Sequence, residues 1–246
     1  MTILRTHELT KDYQARVLHG IDLAISPGQF VTIMGPSGSG KSTLLHLLSG
    51  MDTPTSGRVF LGEDELTALG EADLADLRLR RLGFVFQEPH LLRTLTLRDN
   101  IVLPGFLADD EPRETVVARA DALLERLGIA ELADRDVTQA SGGQLQRIGI
   151  CRALINTPEV IFGDEPTGAL NSSTAAQILD IFGEVNEDGT TIVLVTHDPQ
   201  VAVRGDRVVM LVDGRISDDL DLGRFAPEDR AERLQRVSAL MATRGI

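Results

Sequence analysis

The stretch FVTIMGPSGSGKSTLLHLLSG, residues 30–50, decides how the chain folds. Phe30 to Met34 is a short run, apolar on both faces and closed by glycine, which reads as a buried strand of a parallel sheet. The next eight residues, GPSGSGKS, satisfy G-x-x-x-x-G-K-[ST], and residues 41–49 continue as a helical pattern with Gly50 as its stop. Strand, glycine loop and helix in that order are the setting in which this motif cradles phosphate. Within Gly35-Pro36-Ser37-Gly38-Ser39-Gly40, the glycines let backbone N–H groups turn inward, and the helix N-terminus adds partial positive charge. Lys41 is placed to bridge the β and γ phosphates, and the Ser42 hydroxyl to ligate Mg²⁺.

Working outward, three more apolar runs end abruptly in polar residues: LGFVF (82–86), EVIFG (159–163) and TIVLVT (191–196). Helical patterns such as residues 174–185 separate them, so the alternation predicts an α/β core with crossover helices. Ligands of open parallel sheets sit beyond the carboxyl ends of the strands. There this chain delivers the phosphate loop, Gln87, the pair Asp164 and Glu165, and His197. Singly, each has a bland reading as a solvated or hydrogen-bonded surface group; together they describe one site. Asp164 and Gln87 suit Mg²⁺, directly or through water. Glu165 is the candidate general base for the water that attacks the γ-phosphate, and His197 can donate to a γ-phosphate oxygen. Asp198 is read as a turn residue before Pro199, because a further carboxylate facing triphosphate would be repelled.

Other regions have a different pattern. ILRTHEL, VLHGIDLAI and GRVFLG read as short strands of an antiparallel sheet, and Asp213-Gly214 in VVMLVDGRIS signals a hairpin. From about residue 88 to 140 no strand pattern appears. Residues 111–127 read instead as an amphipathic helix ended by Gly128. The expected fold is therefore α/β: a P-loop NTPase core with a mostly parallel sheet, a small antiparallel β subdomain and an inserted helical lobe at about 88–155. The expected boundaries are 1–225 for the nucleotide domain and 226–246 for a charged helical tail.

A formal net charge of −13 argues against nucleic acid as the main partner, since phosphate-backbone binders present basic surface. Only Lys11 and Lys41 are lysines; the remaining 22 basic residues are arginines. The single cysteine, Cys151, excludes an intrachain disulfide, fits a reducing compartment and reads as a small core residue. No signal-peptide core and no apolar run near the roughly 20 residues of a membrane span is present, so a cytoplasmic chain is expected, with any membrane spans on another subunit.

SGGQLQR, residues 141–147, poses the remaining question. Ser141 and Gln144 form a capping box ahead of the helix-like LQRIGICRAL, and the bland reading is a well-capped helix. Gly142 and Gly143, however, leave the helix N-terminus open to an anion. The first triphosphate already has its cradle, so the second site needs a phosphate brought by another copy of the chain or a similar partner.

This set, comprising the phosphate loop, a glutamine after a strand, SGGQ, an apolar strand with Asp-Glu and then His, resembles the ATP-binding subunit of ABC transporters from residue 4 to about 217. The resemblance implies two subunits, expected to be copies of one chain, dimerised head to tail around two ATP molecules. Each nucleotide would lie between residues 35–43 of one copy, Thr43 included, and Ser141, Gly142, Gly143 and Gln144 of the other. It further implies that Tyr13 stacks on adenine and that the segment around Leu91 receives a coupling helix from a membrane permease. Such a subunit is peripheral on the inner face of the cell membrane. Ala140 stands where leucine is usual before SGGQ, and Asn171 where aspartate is usual in the loop after the catalytic carboxylate.

LGFVFQEPHLLRTLTLRDNIVLP and DEPTGAL resemble more narrowly the subgroup serving lipoprotein release, macrolide export and antimicrobial-peptide resistance. The alternative function is a soluble or regulatory ATPase of the same superfamily, acting in cell division or on DNA or ribosomes. Against it stand the compact interval between phosphate loop and SGGQ, the single cassette, the acidic charge, and an intact Glu165 and His197.

Overall fold

The computed structural model describes residues 2–244. The chain opens with strands β1 (Leu4–Asp12), β2 (Arg16–Ile21), β3 (Ala24–Ile25) and β4 (Phe30–Met34), followed by helix α1 (Lys41–Leu48). Next come β5 (Ser56–Leu61), β6 (Asp64–Glu65), α2 (Glu71–Arg81) and β7 (Leu82–Phe86). Three helices follow, α3 (Leu97–Ala108), α4 (Arg113–Arg126) and α5 (Gly142–Leu154), and then β8 (Val160–Asp164) and α6 (Ser172–Glu187). The described chain closes with β9 (Thr191–Val195), α7 (Pro199–Ala202), β10 (Arg207–Val212), β11 (Arg215–Asp221) and α8 (Arg230–Thr243). Helix α2 escaped the sequence reading. Its first turn carries Glu71 and Asp73 and its last Arg78, Arg80 and Arg81, which complements the helix dipole, and its apolar signal is short, with Leu74 and Leu77 buried one turn apart.

The chain divides into two compact units: one of the residues up to Leu74 and from Asn186 onward, the other Ala75–Val185. In the first unit, β4 pairs in parallel with both β9 and β10, and all five residues of β4 and of β9 are buried. That is why these runs are apolar on both faces. Antiparallel β11 joins β10 through Asp213 and Gly214, whose φ angles of 46° and 69° make the expected two-residue turn. Strands β2, β1, β5 and β6 form the antiparallel sheet in that order, with β3 also on β1. Along β1 Leu4 and Thr6 turn inward in the alternation of a sheet with one wet face, and an irregularity at Glu8 (φ 46°) shifts the inward set to Leu9 and Lys11.

The second unit pairs β7 with β8 in parallel, Phe86 opposite Asp164. Helix α4 buries Val116, Ala120 and Leu124, one stripe at helical spacing. It sits close on α3, where a Cβ on Gly105 would come within 2.5 Å of Val116. An isolated antiparallel bridge joins Thr96 to Asp136 in the otherwise helical stretch. Residues 245 and 246 of the expected tail lie outside the described residues. Residues 230–243 of that tail form α8, which is not merely a solvated helix. Its Val237, with Leu234, Leu240 and Met241, packs against Met34, Ala202, Val203, Val208 and Met210.

Candidate functional site: two glycine-led helix starts

In the first unit, buried β4 ends at Met34 and the backbone turns at Gly35 with φ 154°. A Cβ there would lie 1.9 Å from the Leu211 carbonyl oxygen, so only glycine lets the loop pass β10 this closely. The loop then delivers α1, beginning at Lys41 behind Gly40. The Lys41 ammonium is buried and donates to the carbonyls of Gly35 (2.8 Å) and Pro36 (2.9 Å), which folds it over the loop. The Ser39 hydroxyl is buried without a hydrogen-bond partner, an arrangement that normally costs about 1–3 kcal/mol. Ser37, Gly38 and Ser42 are exposed. A loop with a buried cation, an orphaned hydroxyl and an exposed glycine turn at a helix N-terminus fits a polyanion.

His197 follows β9 and is exposed. Asp198, as the sequence predicted, is a local structural residue: its carboxylate accepts from the Gln200 N–H at 2.8 Å and caps α7. Tyr13, just past β1, is 60% exposed, and its hydroxyl donates to Asp52 at 2.7 Å. Lys11 donates to the other Asp52 oxygen at 2.6 Å and to the Thr53 carbonyl at 2.6 Å, and its Nζ lies 4.8 Å from the Tyr13 ring centroid. Sequence reasoning missed Lys11 and Asp52. No local pattern links positions 39 and 41 residues apart.

In the second unit, the Phe86–Asp164 register brings Gln87 and Glu165 to neighbouring strand ends. Gln87 is exposed and lies against the loop after Glu165, where a Cβ on Gly168 would come within 3.2 Å of the Gln87 amide nitrogen. Asp164 and Glu165 are half-buried. Glu165 has φ 47°, the left-handed region, which costs a non-glycine residue about 1 kcal/mol. Its carbonyl accepts from the Gly168 N–H at 2.9 Å and closes the turn.

The second helix start is built as the sequence predicted. The Gln144 side chain accepts from the Ser141 N–H at 2.8 Å, and the Ser141 hydroxyl accepts from the Gln144 N–H at 3.4 Å. Of the two glycines only Gly142 is open; a Cβ on Gly143 would sit 2.4 Å from Thr174. The need for Gly143 is thus set by the approach of α6, a reason the sequence did not reveal. These residues line a hollow of about 400 Å³ together with Arg147, Asn171 and Gln177. Arg147 donates to the Leu127 carbonyl and to Gln177, both at 2.7 Å. The Asn171 side-chain oxygen accepts from the Ser173 hydroxyl (2.7 Å) and the Thr174 N–H (3.0 Å), so it caps α6 without carrying a charge.

The ABC transporter family pattern matches residues 18–168, from within β2 to the loop after Glu165. The chain belongs to that family. It is 39% identical over 216 residues to the lipoprotein-releasing system ATP-binding protein LolD 1 of Rhodopseudomonas palustris, covering 87% of this chain and 96% of the relative. To the macrolide export ATP-binding/permease protein MacB 1/2 of Paracoccus denitrificans it is 47% identical over 208 residues, 85% of this chain. That match spans 31% of the MacB protein, so the chain corresponds to less than a third of its length. Among solved structures it is similar to a dimeric bacterial ABC transporter cassette, with 38% identity and a TM-score of 0.83 over 90% of this chain and all of the other. A dimeric ATP-binding cassette in a post-hydrolysis state, bound to ADP and Pi, matches at 36% identity with a TM-score of 0.80, again over 90% of this chain and all of the other. The α/β cassette fold, with its parallel sheet and its antiparallel sheet, is the one the sequence predicted.

Proposed function

We propose that this chain is the ATP-binding and ATP-hydrolysing subunit that powers a separate membrane permease, working as a head-to-tail pair of copies. The observation that carries the reading is the second helix start. A capped N-terminus, open at Gly142 and facing a hollow, has no phosphate of its own to hold, because the same chain already owns a complete phosphate loop. A partner's triphosphate supplies the missing anion.

In this reading residues Gly35 to Thr43 hold the phosphates. Lys41 leaves the Gly35 and Pro36 carbonyls for β and γ oxygens, exchanging neutral acceptors for charged ones and roughly doubling each hydrogen bond. Ser42, Gln87 and Asp164 offer hydroxyl, amide and carboxylate oxygens, the hard donor set that suits Mg²⁺. When bound, that ion neutralises charge on the β and γ phosphates. Among the described residues no cluster of three His, Cys, Asp or Glu could hold a metal on its own, so phosphate and water complete such a site. Glu165 takes a proton from the attacking water, and His197 donates to a γ-phosphate oxygen and fixes the line of attack. Tyr13 supports the adenine.

The membrane side of the proposal rests on the segment around Leu91. Leu92 is half exposed, and its backbone is gripped from below: buried Asn100 accepts from the Leu92 N–H at 2.7 Å and donates to its carbonyl at 3.1 Å. Arg152 donates to the carbonyls of Pro89 and His90. A loop held this rigidly, with Leu92 at its surface, suits docking of a coupling helix. Among the described residues no helix is long and apolar enough to cross a membrane, which leaves the spans to the permease. The similarity to a lipoprotein-releasing ATP-binding protein and to a macrolide export protein supports a permease that releases or exports its cargo.

The test is Glu165→Gln. ATP binding persists, hydrolysis slows by about a hundredfold or more, and an ATP-bound dimer accumulates on size exclusion. Near-normal turnover removes Glu165 from the role of base. A variant that stays monomeric with ATP removes the head-to-tail arrangement.

A further inference from the structure

We infer that Lys11 and Asp52 are positioning residues of the base-binding surface: they anchor the rim and one face of the Tyr13 ring so that its other face is held as a platform for a purine. The inference rests on the reading of Tyr13 as the base contact and adds to it what holds the ring in place.

An aromatic ring 60% exposed at a strand end is ordinarily free to change rotamer. Here it is tied at two points. Its hydroxyl donates to one Asp52 oxygen at 2.7 Å, while the Lys11 ammonium, 4.8 Å from the ring centroid, covers a face. The anchor is itself immobilised. Asp52 accepts from Lys11 and from the Thr53 N–H (2.7 Å), and its own N–H donates to the His46 carbonyl at 3.2 Å in the last turn of α1. That helix begins at Lys41 and is eight residues long. The ring is therefore referenced to the phosphate loop through one short rigid rod, which is what a nucleotide needs, since its base and phosphates stand at a set separation.

The side-chain chemistry agrees. Lys11 is only 9% exposed, in a chain whose basic residues are otherwise arginine with the sole exception of the phosphate-loop lysine. A compact ammonium fits beneath a ring and satisfies its donors on Asp52 and Thr53, where a planar guanidinium would need more room. Burial pushes the Asp52 carboxyl up, yet the bonds from Lys11, Tyr13 and the Thr53 N–H outweigh it and hold the group below the usual carboxylate range. Asp52 thus stays an anion at neutral pH. The phenol moves the other way: its bond to Asp52, then burial, raise it above the ordinary tyrosine value, with Thr43 on α1 acting in the opposite sense.

The protein carries its own probe, because Tyr13 is its only tyrosine and it has no tryptophan. Tyrosine emission therefore reports on residue 13 alone. Lys11→Met, Asp52→Ala and Asp52→Asn are compared with wild type for Mg-ADP affinity, read by Tyr13 quenching and by calorimetry, and for inorganic tripolyphosphate affinity, which lacks a base. The expected result is an ADP affinity about tenfold weaker in Lys11→Met and Asp52→Ala, partial recovery in Asp52→Asn, and tripolyphosphate affinity unchanged throughout. Alkaline titration of tyrosine absorbance should move down toward the ordinary value in Asp52→Ala. Wild-type ADP affinity in both Lys11→Met and Asp52→Ala, or an equal loss of tripolyphosphate, overturns the inference. Tyr13→Ala separates the layers. If it binds ADP as wild type does, the base reading of Tyr13 fails and this inference with it. If it loses affinity while Lys11→Met and Asp52→Ala do not, the positioning role alone fails.

Discussion

Cys151 shows how a residue's environment overrides its intrinsic chemistry. On α5 it is wholly buried, and burial pushes its thiol from 9.0 up to about 12. The thiolate is the reactive form, so this side chain is inert in the folded protein at neutral pH. We expect a thiol reagent at pH 8 to leave native protein unlabelled for hours and to label one equivalent promptly in denaturant; rapid native labelling would contradict the burial. The sign of the linkage is also set. A group whose folded pKa is raised contributes stability that is complete below the unfolded value and is lost as pH climbs toward the folded one. The Cys151 contribution is therefore intact at neutral pH and fades between about 9 and 12. Glu165 presents the opposite case, a polar side chain left half-buried at an apolar strand's end, where its left-handed backbone closes a tight turn.

At the scale of elements, α8 depends on one buried cation. Arg233 is 2% exposed and donates to four backbone carbonyls: Val203 (3.0 Å), Gly205 (2.6 Å), Gly223 (3.0 Å) and Arg224 (2.9 Å). Its guanidinium also lies 5.3 Å from the Phe225 ring centroid. Val203 caps the C-terminus of α7. Arg233→Met keeps the aliphatic stem but leaves those carbonyls with no donor, a loss of about 3 kcal/mol or more. The thermal midpoint should fall by roughly 10 °C. A midpoint within a degree or two of wild type would mean that the carbonyls find water instead. Because α7 opens two residues after His197, the same variant should depress turnover more than nucleotide binding.

At the scale of the whole molecule, the proposed machinery is incomplete in one chain. If each triphosphate needs the Ser141 helix start of another copy, hydrolysis is second order in protein at low concentration. Specific activity should rise with dilution reversed and reach a plateau once the dimer is populated. A specific activity independent of concentration across a hundredfold range, with monomer throughout, would reject the clamp. Asn171 adds a refinement. Its side chain caps α6 as an aspartate would, so the element keeps its geometry while the hollow beside Ser141 has one negative charge fewer.

Much of this was legible in the sequence because the information was local. The four apolar runs became β4, β7, β8 and β9; the Asp213-Gly214 turn and the Ser141–Gln144 box formed as predicted, since turn chemistry and capping act within a few residues. Gln87, Asp164, Glu165 and His197 stand at strand ends for the same reason. What only the tertiary structure decided lies between segments distant in sequence: the Lys11–Asp52–Tyr13 anchor, the packing that demands Gly143 against Thr174, and the carbonyl cage around Arg233. Side chains meet in such places because of the path of the backbone, and no periodicity in one stretch encodes the position of another. The sequence by itself therefore determined the kind of chemistry and the elements that present it, and the fold determined which residues hold that chemistry still.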